Sequence, residues 1–276
     1  MNIGIFLRNR ALEKDERYLG LIEEFVAAGC HVTEITESCD IAQDTDIFVS
    51  VGGDGTFLTS AMLVGDRRIP ILGVNLGRLG FLSENRPGNV VEAVMSGSYQ
   101  IEHRSLLKVV PEGGFACFSE KLYPYALNEV TVHRSGPAIL GLDVRIDGNA
   151  LPTYWADGLL VATGSGSTAY SLSVGGPIVM PESKVLIVSP IAPHNLNVRP
   201  LIVPDSSEIE LSLRSRDSKV LLSVDNRCEE VCRDVRLKVS LAQFSLGRVR
   251  LNDSNFINAL TSKLFWGEDI RNGMAL

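Results

Sequence analysis

Apolar residues in the first hundred positions switch between two spacings. Asn2–Phe6 is a short apolar run, and Tyr18, Leu21, Ile22, Phe25 and Val26 then recur at helical intervals, with Gly29 where a helix C-cap belongs. Ile47–Val51 reads as a second buried strand, and Phe57, Leu58, Ala61 and Met62 mark a helix behind it. Ile69–Val74 predicts a third strand, and Val91, Val94 and Met95 another helix. Strand–helix alternation at this spacing predicts a parallel sheet with helices on its faces.

From about residue 101 the period becomes two. Leu142, Val144 and Ile146 alternate with polar positions before the turn pair Asp147-Gly148, and Ile209, Leu211 and Leu213 do the same. Val235, Leu237, Val239 and Leu241 repeat the pattern, which predicts antiparallel sheet. Near the end, Phe256, Leu260 and Leu264 share one helical face, with Ser254 as the expected N-cap. The expected fold is an N-terminal α/β, Rossmann-like domain followed by a central antiparallel β-rich domain. Its boundaries fall at 1–100, completed by a C-terminal helix returning over 250–276, and at 101–249.

Composition narrows the partners. The 276 residues are 45% hydrophobic and 21% charged, enough for a large core without disulfides or structural metal. A net charge of -7 disfavours nucleic acid and anionic membranes, although local donors could still hold a small anion. Met1–Arg8 lacks the pattern of a signal peptide, and the longest apolar run, near Val185–Val188, is strand-sized. Cys30, Cys39, Cys117, Cys228 and Cys232 are odd in number and irregularly spaced. They complete no zinc pattern and read as reduced thiols of a cytoplasmic protein.

The most informative segment is Gly52-Gly53-Asp54-Gly55-Thr56, between a buried strand and a helix. Glycine lets a ligand approach the backbone, and the carboxyl end of a strand is where ligands bind in open α/β sheets. The following helix offers free N–H groups and a positive dipole end, which suit phosphate. No Lys-Ser/Thr follows, so the turn is not a Walker A loop. Asp54 would repel a phosphate unless it holds a metal or accepts a proton, and phosphoryl transfer needs both roles. The plainer alternative is that Asp54 caps the helix and the glycines only shape the turn.

Gly52–Thr56 resembles the signature of NAD kinases, shared with diacylglycerol and sphingosine kinases and more distantly with phosphofructokinases. Gly73-Val74-Asn75-Leu76-Gly77-Arg78-Leu79-Gly80-Phe81-Leu82 is similar to the second NAD kinase block, and Asn128-Glu129 to its Asn-Asp/Glu pair. Asp157–Ser171 resembles the long glycine- and hydroxyl-rich block, and Gly175-Gly176-Pro177 and Ser189–His194 continue the likeness in order. It spans residues 3 to 266.

That resemblance implies an enzyme that phosphorylates the 2′-hydroxyl of the adenosine ribose of NAD with ATP, giving NADP and ADP. Asp54 would be the catalytic group, with Gly52, Gly53, Gly55 and Thr56 forming the phosphate loop. Asp54, Gly55, Asn128, Glu129, Asp157, Thr168, Ala169, Tyr170, Ser171, Leu172 and Ser173 would bind NAD. Asn128 and Glu129 would hold the adenosine ribose and Asp157 would meet the nicotinamide end. A divalent cation such as Mg²⁺, with ligands unassigned, and a homodimer or homotetramer are also implied. Three departures stand out: Ala162–Thr168 replaces Thr-Pro-Thr-Gly-Ser-Thr, Thr59 stands where many relatives carry a basic residue, and Asp225-Asn226-Arg227 replaces an Asp-Gly-Gln-like turn. In the last, Asn226 can also enter the left-handed region.

Other readings remain open at this stage. Gly164–Ala169 fits the dehydrogenase fingerprint G-x-G-x-x-G/A, but no βαβ unit carries it. Tyr170 could be a core aromatic, and Asn128-Glu129 a solvated turn. His31, His103, His133 and His194 form no metal or triad pattern. A lipid kinase with the same glycine turn lacks a membrane-seeking segment here, and a non-catalytic NAD(P) sensor would not need Asp54.

Overall fold

A computed structural model describes residues 1–112, 122–252 and 254–267. Cys117 lies outside the described residues. The chain forms two compact units, Met1–Glu102 with Gly247–Leu276, and His103–Leu246.

In chain order, the first segment contains β1 (Asn2–Leu7), α1 (Glu16–Ala27), β2 (His31–Ile35), β3 (Ile47–Val51), α2 (Asp54–Val64), β4 (Ile71–Val74), α3 (Val90–Met95) and β5 (Tyr99–Glu112). The parallel strands lie in the order β2-β1-β3-β4, with Leu7 opposite Val51 and Val51 opposite Val74. The chain therefore leaves β1 toward one edge for β2 and crosses to its other side for β3. Such a reversal opens a crevice at the strands' carboxyl ends, between β1 and β3. Both segments that end there, Arg8 and Gly52–Thr56, belong to this crevice by sequence position.

Ile3, Ile5, Val49, Leu72, Val74 and Val249 form the sheet's share of the core, against Leu21, Phe25 and Val90. Tyr18, Leu21 and Phe25 of α1 are buried as the spacing predicts, but Val26 is 56% exposed. It sits just off the apolar stripe. The helix ends as expected: Gly29 has φ 82°, its N–H donates to the Val26 carbonyl, and the Cys30 N–H reaches back to Phe25. That pair of reverse bonds satisfies two carbonyls at the helix end.

The second unit contains β6 (Tyr125–Ala126), β7 (Glu129–Arg134), β8 (Leu140–Ile146), β9 (Asn149–Ala150), β10 (Tyr154–Ala156), β11 (Gly158–Ala162), α4 (Tyr170–Ser173) and β12 (Val185–Ile191). It continues with β13 (Leu201–Pro204), β14 (Ile209–Arg214), β15 (Lys219–Val224), β16 (Arg227–Cys232) and most of β17 (Arg236–Leu251). One antiparallel sheet runs β13-β12-β11-β7-β15-β16, and the other includes β10-β8-β14-β17. Val130, Val132, Leu159, Val161, Val220 and Leu222 from the first sheet pack with Leu140, Leu142, Val144, Leu211, Leu237 and Val239 from the second. β11 is buried on both faces, since Leu160 and Ala162 pack instead with Ile187, Ile191, Val174 and Val179. This second contact draws the segment after α4 onto the sheet.

α5 (Phe256–Leu264) belongs to the first unit. Its N-cap is Asn255, whose side-chain oxygen accepts the Asn258 N–H at 2.8 Å, and not Ser254. Ser254 is displaced from that role because its hydroxyl donates to Glu84 at 2.5 Å. The cysteine expectation also needs correction, since Cys232 is disulfide-bonded while Cys30, Cys39 and Cys228 are free thiols. Irregular spacing along the chain does not report which sulfurs the fold brings within bonding distance.

Asn255→Ala should destabilise the protein by about 1 kcal/mol, the usual worth of an N-cap. Urea unfolding measures it, and an unchanged midpoint would mean the cap contributes nothing.

Candidate functional site

The glycine turn is shaped by sterics. Gly52 has φ 148°, and a Cβ there would lie 2.4 Å from the Thr56 hydroxyl. Gly53 is the N-cap of α2, which leaves Asp54 as the first helical residue with its side chain directed away from its own helix. The carboxylate does not cap α2. It accepts backbone N–H groups from another segment: Phe81 on Oδ2 at 2.8 Å, and Leu82 and Ser83 on Oδ1 at 3.0 and 2.9 Å. Gly80 is required for that approach, because a Cβ would stand 1.9 Å from Asp54 Oδ1.

A carboxylate offers about four lone-pair positions. Three are occupied here, so among the described residues one acceptor position is left, and it belongs to Oδ2. The Gly77–Ser83 loop is itself fixed from behind. Asn75 accepts the Gly77 N–H at 2.8 Å and donates to the Arg78 carbonyl, while Asn85 donates to the Gly73 carbonyl at 2.9 Å. Gly73 must lack a side chain, since a Cβ would meet the Leu82 carbonyl at 2.6 Å. The two glycine-rich blocks, 52–56 and 73–82, thus form one hydrogen-bonded body.

Two cations near this turn carry no sequence motif. Arg8, at the end of β1, donates to the Gly55 carbonyl at 3.3 Å. Lys263 of α5 donates to the Gly80 carbonyl, and its ammonium lies 5.2 Å from the Phe81 ring centre. Burial lowers the Lys263 pKa, while Glu84 and Asp54 act in the opposite direction. Arg8 was discoverable in principle as the residue after the first strand; Lys263 was not. Thr59, in contrast, bonds back along its own helix, its hydroxyl donating to the Gly55 carbonyl at 3.1 Å.

The second unit gathers polar residues where three strands end. Glu129 opens β7 opposite Ala162 of β11, and Val130 pairs with Val224 of β15. The ends of these strands therefore place Asn128-Glu129, Thr163 and Asp225 together. Thr163 donates its N–H to the Asn128 carbonyl at 2.9 Å and its hydroxyl to the Leu127 carbonyl at 2.6 Å. Gly166 packs so closely that a Cβ would be 2.2 Å from the Asn128 carbonyl oxygen. The dehydrogenase-like stretch is thus a short turn after an antiparallel strand and forms no dinucleotide-binding helix.

Asp225 is the local organiser. Its carboxylate accepts the N–H groups of Leu127 and Asn128 at 2.8 Å each and that of Glu129 at 3.2 Å. Asp225, with φ 53°, takes the left-handed conformation. The reason is that the first position of this two-residue hairpin turn must reverse the chain, and Asp tolerates that region.

Asn128 and Glu129 are 7% and 9% exposed, so they are not a solvated turn. Among the described residues, Asn128 Oδ1, Glu129 Oε2 and the Ser171 hydroxyl are buried without a hydrogen-bond partner. The Tyr170 backbone N–H faces the Glu129 carboxyl group. Buried polar atoms are nearly always paired, and three orphans around one carboxyl group point to a polar ligand. Burial, reinforced by Asp225, pushes the Glu129 pKa up to about 8. Tyr170 is 39% exposed, which removes the core-aromatic reading. Thr168, Ala169, Tyr170, Ser171, Leu172 and Ser173 lie on the turn and short helix beside it.

Asp157 stands apart. It precedes β11, whereas Thr163 follows it, a separation of about 20 Å at roughly 3.3 Å per residue. Its carboxylate is paired with Arg134, at 2.6 Å to Nε and 3.3 Å to Nη2.

Residues 8–99 match the ATP-NAD kinase N-terminal domain and residues 127–251 the ATP-NAD kinase C-terminal domain. The chain is 41% identical to an NAD kinase of Cytophaga hutchinsonii over 95% of this chain and 92% of the relative. It is 42% identical to one of Bacteroides fragilis over 83% and 79%. A crystal structure of yeast NADH kinase complexed with NADH superposes with a TM-score of 0.84 at 25% identity, covering 98% of this chain and 88% of that one. An NAD kinase from Archaeoglobus fulgidus in complex with ATP gives 0.79 at 26%, covering 96% and 99%.

The Glu129 environment fixes a sign. Between the ordinary carboxyl value of 4.5 and about 8, the folded chain holds a proton that the unfolded chain releases. Stability from this group is therefore present below the lower value and lost as pH rises through the upper one, by at most about 1.4 kcal/mol per pH unit. Glu129→Gln, which cannot ionise, should become more stable relative to the parent between about pH 5 and pH 9. Denaturant midpoints at both values test this; a constant difference would contradict it.

Proposed function

The chain belongs to the ATP-NAD kinase family, and on that premise we propose how it carries out phosphorylation of NAD by ATP, with NADP and ADP as products. The carrying observation is the Asp54 carboxylate, clamped by three amides at a glycine turn with one acceptor position left on Oδ2. That position accepts the proton of the adenosine 2′-hydroxyl. The hydroxyl oxygen then forms a bond to the γ-phosphorus as the bond to the β-phosphate oxygen breaks, and the proton leaves through Asp54 to solvent.

Gly52, Gly53, Gly55 and Thr56 admit phosphate to the N-terminal end of α2, where backbone donors and the helix dipole favour anions. Arg8 retains further guanidinium donors for the same phosphates and stands in for the basic residue that Thr59 lacks. In the second unit, the unpaired atoms of Asn128, Glu129 and Ser171 take polar groups of NAD. A Glu129 carboxyl that keeps its proton near neutral pH can both donate to and accept from a hydroxyl. Thr168, Ala169, Tyr170, Leu172 and Ser173 form the adjoining wall. Asp157, held by Arg134, is assigned to the nicotinamide end through the family resemblance alone. The division of labour follows the two units, phosphoryl transfer in the first and NAD recognition in the second.

The relatives' bound NADH and ATP support the same substrate pair here. A divalent cation, Mg²⁺ in the first instance, would screen the phosphate charge when bound. Among the described residues no three acidic, histidine or cysteine side chains converge. This fits an ion held mainly by nucleotide phosphates and water. Among the described residues no helix is long and apolar enough to cross a membrane, and a lipid acceptor is not favoured. We further propose a cytoplasmic homodimer or homotetramer, on family resemblance.

Incubation with NAD, ATP and Mg²⁺ should yield NADP in an NADP-specific enzymatic assay, and diacylglycerol should not be phosphorylated. Asp54→Asn should lower kcat by about 10²–10⁴ while retaining most NAD affinity. Near-normal turnover would remove Asp54 from the mechanism. Glu129→Gln should weaken NAD binding by about 1 kcal/mol, the net worth of one neutral hydrogen bond, as read by calorimetry. An unchanged affinity would exclude Glu129 from the NAD pocket.

A further inference from the structure

Two of the three amides that clamp Asp54 belong to peptide groups whose opposite ends are held by cations. The peptide between Gly80 and Phe81 receives Lys263 on its carbonyl and gives its N–H to Asp54 Oδ2. The next peptide, between Phe81 and Leu82, receives Arg248 Nη2 on its carbonyl at 3.3 Å and gives its N–H to Asp54 Oδ1 at 3.0 Å. Two chains of the same form, cation to carbonyl and amide to carboxylate, therefore run side by side. Resting on the reading of Asp54 as the group that meets the 2′-hydroxyl, we propose that Lys263 and Arg248 are positioning residues for Asp54, each acting through one peptide group of the 80–82 loop.

Geometry and burial both support this assignment. A peptide group is rigid and planar, so fixing its carbonyl also fixes the direction of its N–H. A donor on the carbonyl polarises the group and strengthens the hydrogen bond made by its amide, more so where water is excluded. The cations are themselves restrained. Arg248 is 3% exposed and pairs with Glu84 and, at 2.9 Å, with Glu102, while Lys263 lies 3.9 Å from Glu84. Arg250 joins Glu102 at 2.7 Å. A buried ion pair is a poor source of net stability, since desolvation offsets much of the attraction. What this one supplies is a fixed direction for two N–H groups.

Neither residue touches the acceptor position on Oδ2, so their loss should act on turnover and leave substrate affinity in place. Lys263→Met keeps an unbranched stem over the Phe81 ring and removes only the charge and its donor. We expect kcat to fall about 10-fold, below the 10²-fold that a misplacement of about 1 Å can cost, with KM for NAD and ATP within about twofold. Lys263→Arg should restore most of the activity. In an Asp54→Asn background, Lys263→Met should cause no further loss, because residues acting as one unit are not additive.

A second readout needs no turnover. In an amide NMR spectrum of the full chain, the Phe81 proton should move upfield in Lys263→Met and return in Lys263→Arg. Arg248→Lys, chosen because truncation would strand Glu84 and Glu102, should shift Leu82 more than Phe81. Unmoved Phe81 and Leu82 amides would overturn the proposal. So would a Lys263→Met loss of the same factor in both backgrounds, which would give Lys263 a role independent of Asp54. Near-normal turnover of Asp54→Asn by itself would instead defeat the underlying reading of Asp54, leaving nothing for the two cations to position.

Discussion

A carboxylate at the turn proposed to bind phosphate creates a conflict: it carries the same sign as the ligand it would face. This chain resolves the conflict by aiming backbone donors at Asp54 from a separate loop. Phe81, Leu82 and Ser83 hold both oxygens, and Gly80 exists so that the loop can come close enough. The side chain can then present one acceptor position and no others. Several polar side chains of the first unit hold that loop. Asn75 and Asn85 close it on one side, and Arg248, Glu84, Glu102 and Lys263 support it on another. α5 belongs to this support because it delivers Lys263.

The second unit uses the same device with the opposite outcome. Asp225 accepts three backbone N–H groups from Leu127, Asn128 and Glu129, fixing the start of β7. The side chains of Asn128 and Glu129 are thereby freed from structural duty. They remain buried with oxygen atoms unpaired. Leaving such atoms unpaired is costly, about 1–3 kcal/mol for each buried group, which a polar ligand would recover on binding. In the proposed reading, one carboxylate organises backbone so that its neighbours bind, whereas Asp54 is organised by backbone so that it reacts.

The apolar pattern made the architecture legible. Helical spacing in residues 16–27 and period-two alternation in 140–146, 209–214 and 235–241 each report which face of a segment is buried. That information is local, and the sheets follow from it. The ordered glycine blocks identified the family and singled out Asp54, Asn128, Glu129 and the 168–173 segment, the residues proposed to form its site. The N-cap of α5 lies one position beyond the expected residue. Several residues there can serve, and tertiary bonds such as Ser254 to Glu84 decide among them.

What sequence alone determined, then, is the class of each segment and the identity of residues whose chemistry is unusual for their surroundings. What only the tertiary structure decided is partnership. Asp54 meets amides 27 to 29 residues away, and Arg248 reaches the Phe81 carbonyl across 167. Lys263, an ordinary lysine on a helix, becomes notable only because of the carbonyl it touches. Asp157, adjacent in sequence to the glycine-rich block, is carried to the opposite end of β11 and paired with Arg134. Hydrogen bonds and ion pairs are short-ranged in space but unrestricted in sequence separation. No periodicity within one segment can encode where the other partner will lie.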